Sequence, residues 1–215
     1  MSELITSRKN PLLQQVKKLL SSRKEREQTG LFVSDGTKLL QEAIRWWPGL
    51  ETVILSQDVE MEIPAGVREV RVPKDVMESI SPMQAPQGAL FICRLPEKKP
   101  FAPKPGMLLL DGIQDPGNLG TILRTADALE IPVALLEGCA DPYSHKVVRS
   151  SMGAVFRMEV VQTTWAAAEQ ACKEAGIPVG VTALDEKSRD LRESALLGNI
   201  KSLSVKDTSA INDKS

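Results

Sequence analysis

The stretch MLLLDGIQDPGNLGTILRTADAL at 107–129 constrains the chain more than any other part of it. Its apolar opening, cut off at Asp111-Gly112, predicts a buried strand over 107–110, and the recurrence of apolar residues after Leu119 predicts a helix over 119–129. Strand, tight loop and helix in that order form the unit in which open α/β sheets place ligands beyond the strand's carboxyl end. Asn118 falls in the loop, a short side chain that can both donate and accept, and Arg124 follows as a fixed cation expected to face the same crevice. The two familiar phosphate loops do not fit. The glycines at 112, 117 and 120 lack the G-x-G-x-x-G spacing of a dinucleotide fold, and no Gly-Lys-Ser/Thr is present.

The same alternation continues downstream. Strands are predicted at 132–136, 156–161 and 177–184, and helices at 144–152 and 164–175, a pattern that implies a parallel sheet with helices on both faces. Upstream, PEKKPFAPKP at 96–105 carries four prolines and three lysines and reads as a stiff, solvated linker. A small domain at 31–96 precedes it, with strands at 52–55, 67–72 and 88–95 and helices at 37–47 and 73–80. Trp46 and Trp47 are expected as core and lid; at 4% aromatic, the chain is a poor candidate for stacking bases across a sheet face.

Residues 1–30 read as a basic helical arm, in which Leu12, Leu13, Val16, Leu19 and Leu20 recur at helical spacing after the start signal Asn10-Pro11. The arm holds seven basic against three acidic residues, which leaves twenty basic against twenty-five acidic in the remainder. A cationic arm on an acidic body suits either a grip on a phosphate backbone or a solvated helix face. Cys93, Cys139 and Cys172 form no CxxC pair and sit in apolar settings, as reduced thiols do. His145 is the single histidine, so neither a zinc site nor a Ser-His-Asp relay is expected. No signal-peptide core or membrane-length apolar run stands out, which suggests a cytoplasmic location and no membrane partner.

DPGNLGTILRTADA at 115–128 resembles the first motif of the SpoU (TrmH-type) family of RNA ribose methyltransferases, in the SPOUT class. DPYSHKVVRSSMGAVF at 141–156 resembles its second motif, and ITSRKNP at 5–11, FVSDG at 32–36 and PQGAL at 86–90 look like its basic arm and small substrate-binding domain. The likeness runs from residue 4 to about 199. It implies an α/β chain in which a small N-terminal α/β substrate-binding domain precedes a Rossmann-like parallel-sheet SPOUT domain at 106–199, with the family's trefoil knot. It also implies transfer of methyl from S-adenosylmethionine to a ribose 2′-hydroxyl of ribosomal or transfer RNA by a homodimer.

The motif-one residues map onto Asn118 and Arg124 as the catalytic pair. A guanidinium is a permanent cation, so Arg124 is expected to stabilise the forming alkoxide and grip RNA phosphate rather than remove a proton, with Asn118 holding Arg124 or the ribose. An Arg124 pairing with Asp127 or Asp111 is the purely structural alternative. The resemblance assigns Thr182, Ala183, Leu184, Gly198, Asn199 and Leu203 to the cofactor, and Arg8, Lys9, Lys17, Lys18 and Arg149 to RNA. Near the end the pattern departs from the family: Ile200 stands where relatives carry Glu, Ser204 replaces Asn, and the loop between them is short. The tail at 200–215 is polar, so two outcomes stay open: a shortened end that still builds the cofactor pocket, or a chain that binds RNA without turnover.

Overall fold

The structure is a computed structural model that describes residues 3–182 and the backbone of 202–206. Two five-stranded sheets carry it. The first is mixed, built from β1 (Glu3–Leu4), β2 (Leu31–Asp35), β3 (Leu50–Ser56), β4 (Arg68–Val72) and β5 (Ala89–Arg94) in the order β1-β4-β3-β5-β2. Its helices are α1 (Pro11–Ser21), α2 (Arg23–Thr29), α3 (Thr37–Trp46) and α4 (Lys74–Ile80). The second sheet contains β6 (Met107–Asp111), β7 (Val133–Leu135), β8 (Val160–Gln162), β9 (Gly180–Thr182) and β10 (Ser202–Lys206). Its order is β8-β7-β6-β10-β9 and every pairing is parallel. Helices α5 (Pro116–Ala128), α6 (His145–Ser150) and α7 (Trp165–Glu174) connect it. The expected α/β architecture with a parallel sheet is the one observed.

The chain enters this sheet at its middle. β6 pairs with β7 on one side and with β10 on the other, where Ser202 lies opposite Met107 and Lys206 opposite Asp111. A strand flanked on both sides by parallel neighbours and covered on its faces needs near-continuous apolar sequence, which MLLLD supplies. The strand order reverses between β7 and β10, so the crevice beyond the carboxyl end of β6 is a topological switch point.

Three expectations change. The segment 1–30 is no free-standing arm. β1 adds to the first sheet beside β4, and the buried side chains Leu13, Val16 and Leu19 close a core with Val33, Ile54, Val70 and Leu90. The apolar stripe that predicts a helix is the face by which α1 roofs the small domain. The helix after β6 begins at Pro116, three residues earlier than expected, because Asp115 caps it: its Oδ1 accepts from the Asn118 amide at 2.7 Å, and Pro116 occupies the first helical position. The apolar run at 154–156 forms a 3-10 turn with all three side chains buried, and the strand expected from 156 starts only at Val160.

The two sheets share one core. Phe32, Leu40, Ala43 and Phe91 of the small domain pack with Leu110, Leu119, Leu123, Val148 and Phe156 of the second. Phe32 is the hub, with ring centroids 5.2 Å from Tyr143 and 5.7 Å from Trp47. Polar links cross the same seam. Arg26, 6% exposed, donates from Nε to Asp141 Oδ2 at 2.8 Å and also donates to the Leu19 carbonyl, while Arg157 bonds both Glu42 and Asp127. Among the described residues no helix is long and apolar enough to cross a membrane. Because α1 is core rather than arm, Leu19→Ala is expected to cost about 2–5 kcal/mol, read by urea denaturation; a solvated helix face would lose a few tenths.

Candidate active site

The crevice is built on the three parallel strand ends β6, β10 and β9. In the ladder, Leu110 stands opposite Val205 and Val205 opposite Thr182, so the residues that leave the sheet here share one level. On the other side of β6, the loop after it is laced to the loop after β7. Gly112 N donates to Glu137 O at 3.1 Å, Ala140 N to Ile113 O at 2.8 Å, and the Cys139 thiol to Leu110 O at 3.2 Å. Burial pushes the Cys139 thiol pKa up, which keeps it a proton donor in this lacing. Gly112 adopts φ +66° with nothing near its missing side chain, leaving bare backbone at the crevice.

Helix α5 stands over that edge. Its buried side, Leu119, Leu123 and Ala126, packs into the shared core, and Gly120 lets α6 approach to backbone contact. The Ser150 hydroxyl of α6 reaches back to the Pro116 carbonyl at 2.8 Å, tying the second motif to the start of the first. Sequence reading missed this pair, although Gly and Ser at facing helix positions are a usable signal for close approach.

Asn118 and Arg124 are both exposed on α5. Six helical residues turn through about 600° and rise about 9 Å, so the two border a solvent-facing stripe rather than share one line of the helix. Thr121 lies between them. No hydrogen bond joins the Asn118 side-chain amide to Arg124, which leaves the ribose as the other partner expected for Asn118. Arg124 makes no ion pair among the described residues, either with Asp111 or with Asp127, and Asp127 is held instead by Arg157 at 2.7 Å. A cation so placed, on the stripe above a switch-point crevice, can meet an anionic ligand.

The remaining expected residues divide. Thr182 is exposed at the carboxyl end of β9, whereas Leu203 lies within the β10 ladder opposite Leu108 and Gly180, below the crevice rim. Ala183, Leu184, Gly198 and Asn199 lie outside the described residues. Lys9, Lys17 and Lys18 are exposed on or before α1, and Arg8 pairs with Asp75 at 2.7 Å on the surface. Arg149, expected at RNA, is partly exposed and pairs with the buried Asp35 of β2 at 3.2 Å, also contacting Met83. Burial raises the Asp35 pKa, and Arg149 opposes that shift. His145 is half-buried with Nδ1 unpartnered, and burial lowers its pKa. No group of three or more metal-ligating side chains occurs among the described residues.

The α5–α6 contact is directly testable. A Cβ on Gly120 would lie 1.9 Å from Ser150 Oγ and 2.7 Å from the Ser151 amide nitrogen. Gly120→Ala is therefore expected to cost about 1–3 kcal/mol in chemical denaturation. Ser150→Ala added to it should restore little, because the backbone clash stays.

Comparison with known proteins gives this geometry its relatives. Residues 105–207 match the SpoU rRNA Methylase family, and residues 10–90 match the MRM3-like substrate binding domain. The chain is 34% identical over 184 residues to the 23S rRNA (guanosine(2553)-2′-O)-methyltransferase RlmP of Bacillus subtilis, covering 84% of this chain and 73% of that protein. It is 32% identical over 163 residues to human mitochondrial rRNA methyltransferase 3, covering 69% of this chain and 39% of that one. The crystal structure of an AdoMet-bound rRNA methyltransferase from Sinorhizobium meliloti superposes with a TM-score of 0.81 at 28% identity, covering 95% of this chain and 80% of that one. The chain belongs to the SpoU rRNA methylase family.

Proposed function

We propose that this protein transfers the methyl group of S-adenosylmethionine to a ribose 2′-hydroxyl of ribosomal RNA. The observation that carries the reading is the place of β10. Ser202–Lys206 pairs with both β6 and β9, so the altered C-terminal end still supplies the strand that aligns three carboxyl ends at one crevice. The relatives named for rRNA methylation and the AdoMet-bound neighbour support the same substrate and cofactor.

The crevice suits the cofactor on its own chemistry. Gly112 presents backbone without a side chain after β6, Thr182 is exposed at the end of β9, and Ala183 and Leu184 follow directly in the chain. When bound, S-adenosylmethionine supplies a methyl already activated by its sulfonium. What is left to the protein is alignment of the ribose oxygen and stabilisation of the charge that forms on it. Arg124 is the cation assigned to that alkoxide and its neighbouring phosphate, with the proton passing to phosphate or water. Asn118, at the first turn of α5, is assigned to the ribose.

RNA enters over the small domain in this reading. The exposed Lys9, Lys17 and Lys18, with Arg8 in a surface pair that phosphate can displace, form its basic face. A homodimer and a cytoplasmic location belong to the same proposal. The first rests on the family resemblance, the second on three free thiols that suit a reducing compartment.

Transfer of tritiated methyl from S-adenosylmethionine to 23S rRNA tests the assignment. Arg124→Ala is expected to lower turnover by at least about a hundredfold while RNA affinity changes little. An equal fall in both would make Arg124 a binding residue only. Replacing Arg8, Lys9, Lys17 and Lys18 with Gln should flatten the dependence of log affinity on log salt by roughly 0.7–0.9 for each phosphate that is no longer neutralised. An unchanged slope would return α1 to a purely structural role.

A further inference from the structure

A second concavity lies away from the switch-point crevice, in the seam between the two domains. It has a volume of about 440 Å³ and is lined by Trp46 and Trp47 at the end of α3, Tyr143 and Phe156 of the second domain, Arg23 of α2 and Lys98 of the linker. Its floor includes β8, the outer strand two places from β6, while β10 and β9 lie on the opposite side of β6. The two sites are therefore separate. Four of the chain's eight aromatic side chains converge here, although the aromatic fraction is only 4%.

The walls are held in place before any ligand arrives. The Trp47 indole donates to the Arg94 carbonyl at 3.1 Å and meets Phe156 at 5.7 Å between ring centroids. Trp46 is 46% exposed, and the Arg45 guanidinium sits 4.9 Å from its ring centre, which orients the indole. The Tyr143 hydroxyl makes no hydrogen bond among the described residues, although the residue is only 6% exposed. At the rim, Lys98 makes no ion pair among the described residues, and Arg23 is held there only by Glu27, in a surface pair about half exposed on each side. Such pairs are weak and can be exchanged for phosphate.

We propose that this cleft is an RNA subsite that takes one unstacked base of the substrate strand. The base stacks on the exposed Trp46 indole, and its phosphate lies on Lys98 and Arg23. Rigid aromatic walls with a polar handle, in a lining where Arg23, Arg26, Lys98, Lys99 and Arg157 outnumber Glu27, Glu97, Asp141 and Glu159 by one, match the way unpaired nucleotides are held, where stacking carries affinity and phosphate contacts set position. An exposed indole already oriented loses little freedom when a base stacks on it. The small domain that contributes the tryptophans is the part of the chain that matches a substrate-binding domain. The subsite rests on the reading of RNA as substrate, and it assigns the linker lysines a role beyond spacing.

The test uses the full chain carrying Trp165→Phe, which leaves only Trp46 and Trp47 as indole fluorophores. A single-stranded RNA decamer of mixed sequence and an inorganic polyphosphate of similar charge are the probes. Saturable quenching by the decamer and not by polyphosphate is expected. Trp46→Ala should weaken decamer binding by about tenfold, and Lys98→Glu should weaken it and reduce its salt dependence. Unchanged decamer affinity in both variants, or equal quenching by polyphosphate, overturns the subsite. Methyl transfer to 23S rRNA, measured alongside, separates the two proposals. Base-dependent quenching without any methyl transfer leaves the cleft standing and removes the function; methylation with decamer affinity indifferent to both substitutions removes the cleft alone.

Discussion

The parallel pairing of Ser202–Lys206 with β6 holds the second domain together. Without it β6 would be an edge, and an edge presents unpaired amides and carbonyls beside an apolar face. With it, β6 becomes the centre of a five-stranded sheet, the strand order reverses at β6, and a crevice opens where three strands end together. The loop lacing by Gly112, Ala140 and Cys139, and the lean of α5 on α6 at Gly120, fix one wall of that crevice around the central strand. Arg124 stands exposed on that wall.

A second constraint joins the domains. The seam is apolar at its centre, where Phe32 meets Tyr143 and Phe156, and polar at its border, where Arg26, Arg149 and Arg157 each reach an acidic residue of the other domain. Buried charged pairs fix register more than they add stability, because desolvation offsets much of the attraction. The small domain is thereby held in one pose beside the second motif, and both concavities inherit that pose. Arg26 does two jobs at this border: one guanidinium braces the Leu19 carbonyl of α1 and the loop that starts the second motif.

Much of this was legible in the sequence, and the exceptions have physical causes. Apolar runs such as MLLLD, and the alternation of strand with helix, announce a parallel sheet because they are local consequences of burial on both faces. The role of α1 was not legible, since Leu13, Val16 and Leu19 recur at the same spacing whether their partner is the small domain or nothing. The start of α5 lies at the Asp115 cap and Pro116, ahead of the apolar recurrence that marks the rest of the helix. Arg149 shows the harder case: a cation in a motif is assigned to RNA until its partner, Asp35, is brought from more than a hundred residues away. Of the residues the resemblance assigns to the cofactor, Thr182 ends β9, Leu203 stands within the β10 ladder, and Ala183, Leu184, Gly198 and Asn199 lie outside the described residues.

If the altered C-terminal end still completes a cofactor crevice, the purified chain must bind S-adenosylmethionine, and calorimetric titration measures that binding without any RNA. Saturable, near-stoichiometric heat from a chain whose circular dichroism shows it folded is the expected result. A folded chain that gives no saturable heat with S-adenosylmethionine would contradict it.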